Sequence, residues 1–339
     1  MGTASCAFAH DMWFLVICRI VTSLGVGGEW AAGAAMVAEV MPEKSRLEGG
    51  AFLYTAGAVG SLLATFVNFV IAGVFWLESP ETSWRYVFLC GLIPAAVALI
   101  LRLFVKEPET WQNIASEVAP PRIRELFNRE NLSATISGFL MALVALMTLW
   151  CCNAFIPTVA TALAQSVAPD RGLDTTETLY LAEEWKALAT NCFFLGGFVG
   201  TLLTVPIAKH LGRKSMFFLY FLFSAVILAI DFGLLIPPEV RLYLHFAIGL
   251  SVSGIMGSFG YYLTELFPTR LRATGSGFCY NAGRILAAGG PFLVGYLVSQ
   301  GENPLSSATT TLLWVALIPL AGLLFVPWAI ETKGQVLAE

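Results

Sequence analysis

The chain has 339 residues, of which 57% are hydrophobic and 12% charged, with a net charge of −4 and a mean hydropathy of +0.74. An ordinary soluble domain carries about 25% charged residues, so this composition describes a polytopic, all-α membrane protein. It offers no basic patch of the kind nucleic acid requires, and the opening Met-Gly-Thr-Ala-Ser-Cys lacks the basic region of a signal peptide.

A helix needs about 20 apolar residues to cross the hydrocarbon core. Segments of that kind are predicted at 13–38, 48–75, 84–104, 133–163, 186–208, 215–236, 241–264, 273–299 and 308–330. The positive-inside rule orients them. With the 39–48 corner in the cytoplasm, that side collects Lys44, Arg46, Arg102, Lys106, Arg122, Arg124, Arg129, Lys209, Arg213, Lys214, Arg270, Arg272 and Lys333. The opposite side keeps only Arg85, Arg171, Lys186 and Arg241. This places the amino terminus outside and the carboxy terminus in the cytoplasm.

The chain also repeats itself. The corner Glu39-x-x-Pro42-x-x-x-Arg46-x-x-Gly49-x-x-Phe52-x-Tyr54-x-x-Gly57 returns at one fixed offset as Glu265, Pro268, Arg272, Gly275, Phe278, Tyr280 and Gly283. Both copies run in the same direction, which is the mark of parallel halves related by an axis along the membrane normal, an arrangement found in transporters. The second copy follows three spans that have no counterpart before the first. The expectation is therefore a complete relative of twelve helices, the first three of which this chain lacks. On that reading residues 1–104 are the second half of an amino-terminal bundle, 105–132 a cytoplasmic linker and 133–339 a six-helix carboxy-terminal bundle. Within the linker, Arg122-Ile-Arg-Glu-Leu-Phe has the pattern of a short surface helix. The acidic stretch 165–185 is expected to be a solvated outer loop. The seven cysteines show no CxxC spacing and read as free thiols.

The charges inside or at the edges of the spans are the candidates for function. Glu39 with Arg46, and Glu265 with Arg272, sit at helix ends on either side of a Pro, and an ion pair there suits a cytoplasmic gate. Its alternative is a static topology anchor. Gly212-Arg213-Lys214 closes a tight hairpin on the same face. Arg19 and Glu29 share the first span, about 15 Å apart along a helix. A charge in the bilayer core costs a few kcal/mol, so each needs a cavity or a partner. Glu29 reads equally as a protonatable, substrate-contacting group or as half of a structural salt bridge. Arg284 lies near mid-depth, flanked by Asn281, Gly283 and Gly289. It suits an anchor for an anionic substrate, because a guanidinium keeps its charge and grips carboxylates bidentately; the alternative is pairing with an internal acid such as Glu29. Asn153, Asn191, Tyr261 and Tyr262 can line the same cavity or simply bond between helices. Trp150 can stack on a ligand ring or pack. Asp231, near the outer end of its helix, is expected to be a boundary residue.

The corner pattern, the Gly212-Arg213-Lys214 hairpin and the closing Glu331-Thr332-Lys333-Gly334 resemble the major facilitator superfamily. More narrowly, Gly27-Gly28-Glu29-Trp30, Trp84-Arg85, Glu107-Pro108-Glu109-Thr110-Trp111 and Tyr280-Asn281-x-Gly283-Arg284 resemble its proton-coupled metabolite symporters of the sialate and organic-acid type. The resemblance implies two bundles rocking about a midplane site, a proton gradient as the energy source, and a partner acid for Arg19 on a first helix. The sequence departs from the family at Lys209-His210, where the hairpin usually begins Asp-Arg, and the first-half hairpin is absent.

These readings converge on proton-coupled uptake of a small organic anion, a sialate, aromatic or short carboxylic acid, across the inner membrane by a monomer, with the lipid bilayer, the anion and protons as its partners. A sugar-type carrier of the same superfamily and a truncated, non-transporting membrane protein are the alternatives. No cofactor or metal is called for. An enzyme is disfavoured by the lack of HExxH, GxSxG or a clustered His/Asp constellation.

Overall fold

A computed structural model describes residues 2–42, 45–104, 121–301 and 303–334. Among them nine helices are long and apolar enough to span a bilayer. We label these α1 Met12–Ala38, α2 Arg46–Phe75, α3 Pro80–Leu101, α4 Leu132–Val167, α5 Thr175–Leu211, α6 Arg213–Gly233, α7 Pro238–Glu265, α8 Thr269–Ser299 and α9 Leu305–Trp328. They fall where the hydropathy of the sequence places them.

The ends differ where capping overrides hydropathy. The stretch 165–185, expected as a loop, is mostly helix. Asp174 accepts from the backbone N–H of Glu177 at 2.8 Å, and the Glu177 carboxylate accepts from the N–H of Asp174 at 3.0 Å. This reciprocal box satisfies two of the orphan donors of a helix start and begins α5 at Thr175, giving it 37 residues. Asp11 caps α1 in the simpler way, accepting from Phe14 N–H at 2.8 Å. Of the linker, 105–120 lies outside the described residues. Ile123–Phe127 forms a short 3-10 turn that buries Leu126 and pairs Glu125 with Arg270.

Most of the buried core belongs to α4–α9. One cluster, with Met141, Phe217, Phe259, Tyr262 and Phe267, lies toward the 265–272 corner. The other, with Ile156, Trp185, Phe193 and Leu228, lies toward the opposite ends of the helices. In lipid, burial from water does not drive helices together, so association depends on close backbone approach. The α5–α7 crossing shows this. A Cβ built on Gly200 would stand 2.0 Å from the Leu250 carbonyl oxygen, and one on Gly249 would stand 1.8 Å from that of Phe193. At this contact α7 leaves the α-helical path, running through a π segment at Gly249–Ser253 and a 3-10 segment at Gly254–Ser258 before resuming at Phe259.

The first three spans present apolar outward faces, including Trp13, Leu24 and Leu63, as lipid contact requires. They meet the rest of the chain along two seams. In the first, α2 runs antiparallel to α5, from Glu48 paired with Lys209 at one end to Phe69 and Tyr180, rings 6.2 Å apart, at the other. In the second, α1 touches α8, where the Asn281 side-chain amide donates to the Gly27 carbonyl at 3.4 Å.

Candidate functional site

Between these seams lies a cavity of about 630 Å³, lined from α1 by Val26 and Gly33, from α2 by Leu53, Tyr54, Gly57 and Ser61, from α4 by Leu149 and Trp150, and from α8 by Tyr280 and Arg284. Two further hollows, about 500 and 570 Å³, are walled almost wholly by apolar side chains such as Leu143, Leu293 and Ile318 in one, and Val37, Phe52 and Leu202 in the other. Only the first combines a cation with hydroxyl and indole groups.

Arg284 stands half-buried in that wall, its guanidinium carbon 5.6 Å from the centre of the Trp150 ring. It has no ion-pair partner among the described residues. A guanidinium over an indole face gains from the ring quadrupole while its N–H fork remains for a second ligand. The Trp150 indole N–H is buried with no hydrogen-bond partner among the described residues. Beside them the Tyr54 and Tyr280 hydroxyls are 2.8 Å apart and share a hydrogen bond. The wall can therefore offer an anion one fixed charge and a coupled pair of hydroxyls, framed by the Trp150 ring.

The sequence-chosen residues divide. Arg284 is in the wall. Asn281 is next to it, but its amide donates to the carbonyls of Gly277, at 2.9 Å, and Gly27, which commits it to fastening α8 to α1. Asn153 and Asn191 are half-buried on α4 and α5 and do not line this cavity. Tyr261 is fully buried elsewhere; its hydroxyl donates to Met216 Sδ at 3.1 Å and the Thr204 carbonyl at 3.4 Å. Arg19 is exposed on α1 and has no ion-pair partner among the described residues. The side chains of Glu29 and Glu39 lie outside the described residues, so the expected Glu39–Arg46 pair lies outside them too. Asp231 is no boundary residue: it is fully buried between α6 and α7. Tyr54 was visible only as a repeat position, and Glu48 carried no signal beyond its charge at a corner.

At the corners, each arginine turns back along its own hairpin. Arg46 Nε donates to the Ala38 carbonyl at 2.9 Å and Arg272 Nε to the Thr264 carbonyl at 3.1 Å, the same contact in both copies. The Glu265 partner differs from the expected Arg272. Its carboxylate takes Arg213 in a two-point grip, Nη2–Oε1 at 2.6 Å and Nε–Oε2 at 3.1 Å, with a further bond from Thr332 Oγ1 at 2.5 Å. Both partners are nearly buried, where a two-point guanidinium–carboxylate bond satisfies the most donors. Gly212, at φ 91°, makes the turn that brings Arg213 there. Glu331 then accepts from the backbone N–H groups of Arg213 at 2.9 Å and Lys214 at 3.1 Å, capping α6. Burial works against the charged form of Glu331. The backbone N–H groups of Arg213, Lys333 and Lys214, with the Arg213 charge, outweigh it and hold its pKa below the ordinary carboxylate value.

The comparisons agree with this architecture. The family model described as Major Facilitator Superfamily matches residues 1–182, and that described as Sugar (and other) transporter matches 153–333. The chain is 26% identical to the sialic acid transporter NanX of Escherichia coli, over 94% of this chain and 73% of that protein. It is 29% identical to the cis,cis-muconate transport protein of Acinetobacter baylyi, over 84% of this chain and 66% of that protein. Its fold matches a crystal structure of a bacterial homologue of the human lysosomal transporter Spinster, inward-facing and unoccupied, with a TM-score of 0.53 at 18% identity, covering 96% of this chain and 79% of that one. The nine expected spans are present among the described residues, and the family matches run across the chain without bearing out the expectation of three missing helices. With one family model covering more than half of its length, this multi-pass membrane protein belongs to the major facilitator superfamily.

Proposed function

We propose that the chain carries a small organic anion into the cell with protons, by alternating access across the inner membrane, with its amino terminus outside and its carboxy terminus in the cytoplasm. The observation that carries this reading is Arg284: a half-buried guanidinium with no ion-pair partner among the described residues, in the wall of the cavity between α1–α2 and α4–α8. Leaving an uncompensated cation at membrane depth is costly, and a carboxylate ligand removes that cost. The same cation argues against a neutral sugar, for which it supplies no charge to meet. That relatives are described as carrying sialic acid and cis,cis-muconate, both organic acids, supports the same class.

On this reading Arg284 anchors the carboxylate, Trp150, Tyr54 and Tyr280 frame it, and Glu29 and Arg19 are the candidates for proton coupling. Glu48 with Lys209 and Glu265 with Arg213 hold the cytoplasmic ends together. The test is uptake of sialic acid, cis,cis-muconate and a panel of short and aromatic acids into proteoliposomes, with and without an imposed proton gradient. Gradient-dependent uptake of at least one acid is expected. No uptake across the panel overturns the carrier reading, and uptake indifferent to the gradient overturns the coupling.

A further inference from the structure

Away from the cavity, at the end of α6 opposite the 265–272 corner, three ionisable side chains meet inside the carboxy-terminal bundle. Asp231 is fully buried, as is His245 from α7, and Arg241 is 8% exposed. Their geometry is incomplete. Arg241 Nε stands 3.6 Å from Asp231 Oδ1, and His245 Nε2 stands 3.8 Å from Asp231 Oδ2, both beyond hydrogen-bond reach. Among the described residues, neither Asp231 oxygen, nor Arg241 Nε, nor His245 Nε2 has a hydrogen-bond partner. Arg241 instead spends Nη2 on the Leu234 carbonyl at 3.0 Å.

The histidine tautomer follows from its other contact. His245 Nδ1 is 3.2 Å from the Leu242 carbonyl oxygen. A carbonyl only accepts, so Nδ1 carries the hydrogen, and in the neutral ring Nε2 is then a bare lone pair. It faces a carboxylate oxygen that also offers only lone pairs. Two acceptors opposed in a buried site are short of one proton. Among the described residues, the Cys152 thiol from α4 also faces Asp231. The Phe232 ring lies 6.4 Å from that of His245, and Phe232 belongs to an apolar core with Leu228, Leu242 and Ile248 of the same two helices.

We infer that Asp231 and His245 form a proton-binding site, at which a proton taken from water joins His245 Nε2 and is held by Asp231 Oδ2. The ring becomes an imidazolium bonded to a carboxylate, and the 3.8 Å gap closes to hydrogen-bond length. Arg241 keeps the site from binding its proton too tightly. The bond is made by side-chain movement of His245 and Asp231, on an outer segment of α7, Pro238–Ile248, that ends where the helix leaves the α-helical path at Gly249. The part this proton plays in transport rests on the proton-coupled reading above; the binding itself does not.

The chain has three histidines, His10, His210 and His245, so nitrogen NMR of histidine-labelled protein in lipid nanodiscs reads the site directly, with His245→Gln assigning the signal. As pH falls from about 8 to 5, Nε2 of His245 is expected to gain a proton. Asp231→Asn lowers its proton affinity about tenfold or more, and Arg241→Gln raises it. A ring that keeps one protonation state throughout in the wild type, or a midpoint unmoved by both substitutions, overturns the site. Uptake indifferent to a proton gradient, with His245 still titrating, sinks the coupling and leaves the site standing; the reverse result sinks the site alone.

Discussion

The Tyr54 and Tyr280 hydroxyls meet at 2.8 Å although 226 residues separate them, and that separation is the period of the internal repeat. Residues related by an internal two-fold axis touch only when they lie beside it, so this hydrogen bond marks where the two halves face each other at the cavity. On the alternating-access reading, a bridge between the halves would form and break as they rock. Tyr54→Phe and Tyr280→Phe each remove one hydroxyl and the shared bond, at about 0.5–1.5 kcal/mol. Each is expected to change the apparent substrate affinity by two- to tenfold, and the double variant to cost no more than either alone. Affinities measured for the four proteins of this cycle decide it, and additive losses show that the hydroxyls act independently.

The repeat and the spans were legible because both are written in local composition. Nine apolar runs and two matched corners needed no tertiary information, and even the Arg46 and Arg272 contacts are copies of one hairpin. The start of α5 was misjudged because hydropathy cannot see a capping box, although Asp174 and Glu177 stood at the right spacing. Glu265 was matched to the arginine nearest in sequence, yet the fold brings Arg213 to it from another hairpin. Asp231 was misplaced for the same reason: its partners Arg241 and His245 lie across the turn between α6 and α7, and only packing reveals that all three are inside. The place of Arg284 in a cavity wall was legible because a lone guanidinium in an apolar run is conspicuous. The contacts of Tyr261 and Asn281 were not, since a polar side chain in a span looks alike whether it meets a ligand or a neighbouring backbone.

Arg284→Lys separates charge from geometry. Lysine keeps the positive charge but loses the planar fork and much of the stacking on Trp150, 5.6 Å away in the wild type. Losing a charge-assisted bond costs about 1.5–3 kcal/mol. Arg284→Lys should therefore weaken binding of a carboxylate substrate about tenfold or more, and Arg284→Gln further. Binding by isothermal calorimetry, with cis,cis-muconate and sialic acid as probes, checks this. An unchanged affinity in Arg284→Lys removes the side chain from the site.

Glu48 and Lys209 pair across the α2–α5 seam, one from each half, with 46% and 41% of their side chains exposed. At that exposure the pair contributes up to about 1 kcal/mol and is screened by salt, so its loss shifts a balance between states without unfolding either. Lys209→Glu places two like charges at the seam and is expected to raise the reactivity of a cysteine introduced at Val205, in the neighbouring hollow, by a few-fold toward a thiol reagent added from the side that the proposed orientation makes cytoplasmic. Adding Glu48→Lys restores the attraction with the signs exchanged and should restore the low reactivity. Labelling rates that ignore both changes rule the pair out as a latch.

Glu331 offers a dependence on pH whose sign is fixed by its contacts. Its folded-state pKa lies below the ordinary carboxylate value because, against the cost of burial, three backbone N–H groups and Arg213 favour the charged form. The stability it lends is therefore complete above the ordinary carboxylate pKa, and is lost as pH falls through the lowered one, where the proton destroys the cap on α6. The turn it serves is crowded: a Cβ on Gly212 would stand 2.5 Å from Glu331 Oε2, so the carboxylate and the glycine are fitted to each other. Glu331→Gln keeps an oxygen acceptor but lacks the charge. It should melt at lower temperature than the wild type at neutral pH, with the difference shrinking as the pH approaches and passes below the lowered carboxylate value. Thermal unfolding of both proteins in the same detergent across that range checks the sign. A difference that widens on acidification contradicts the assignment.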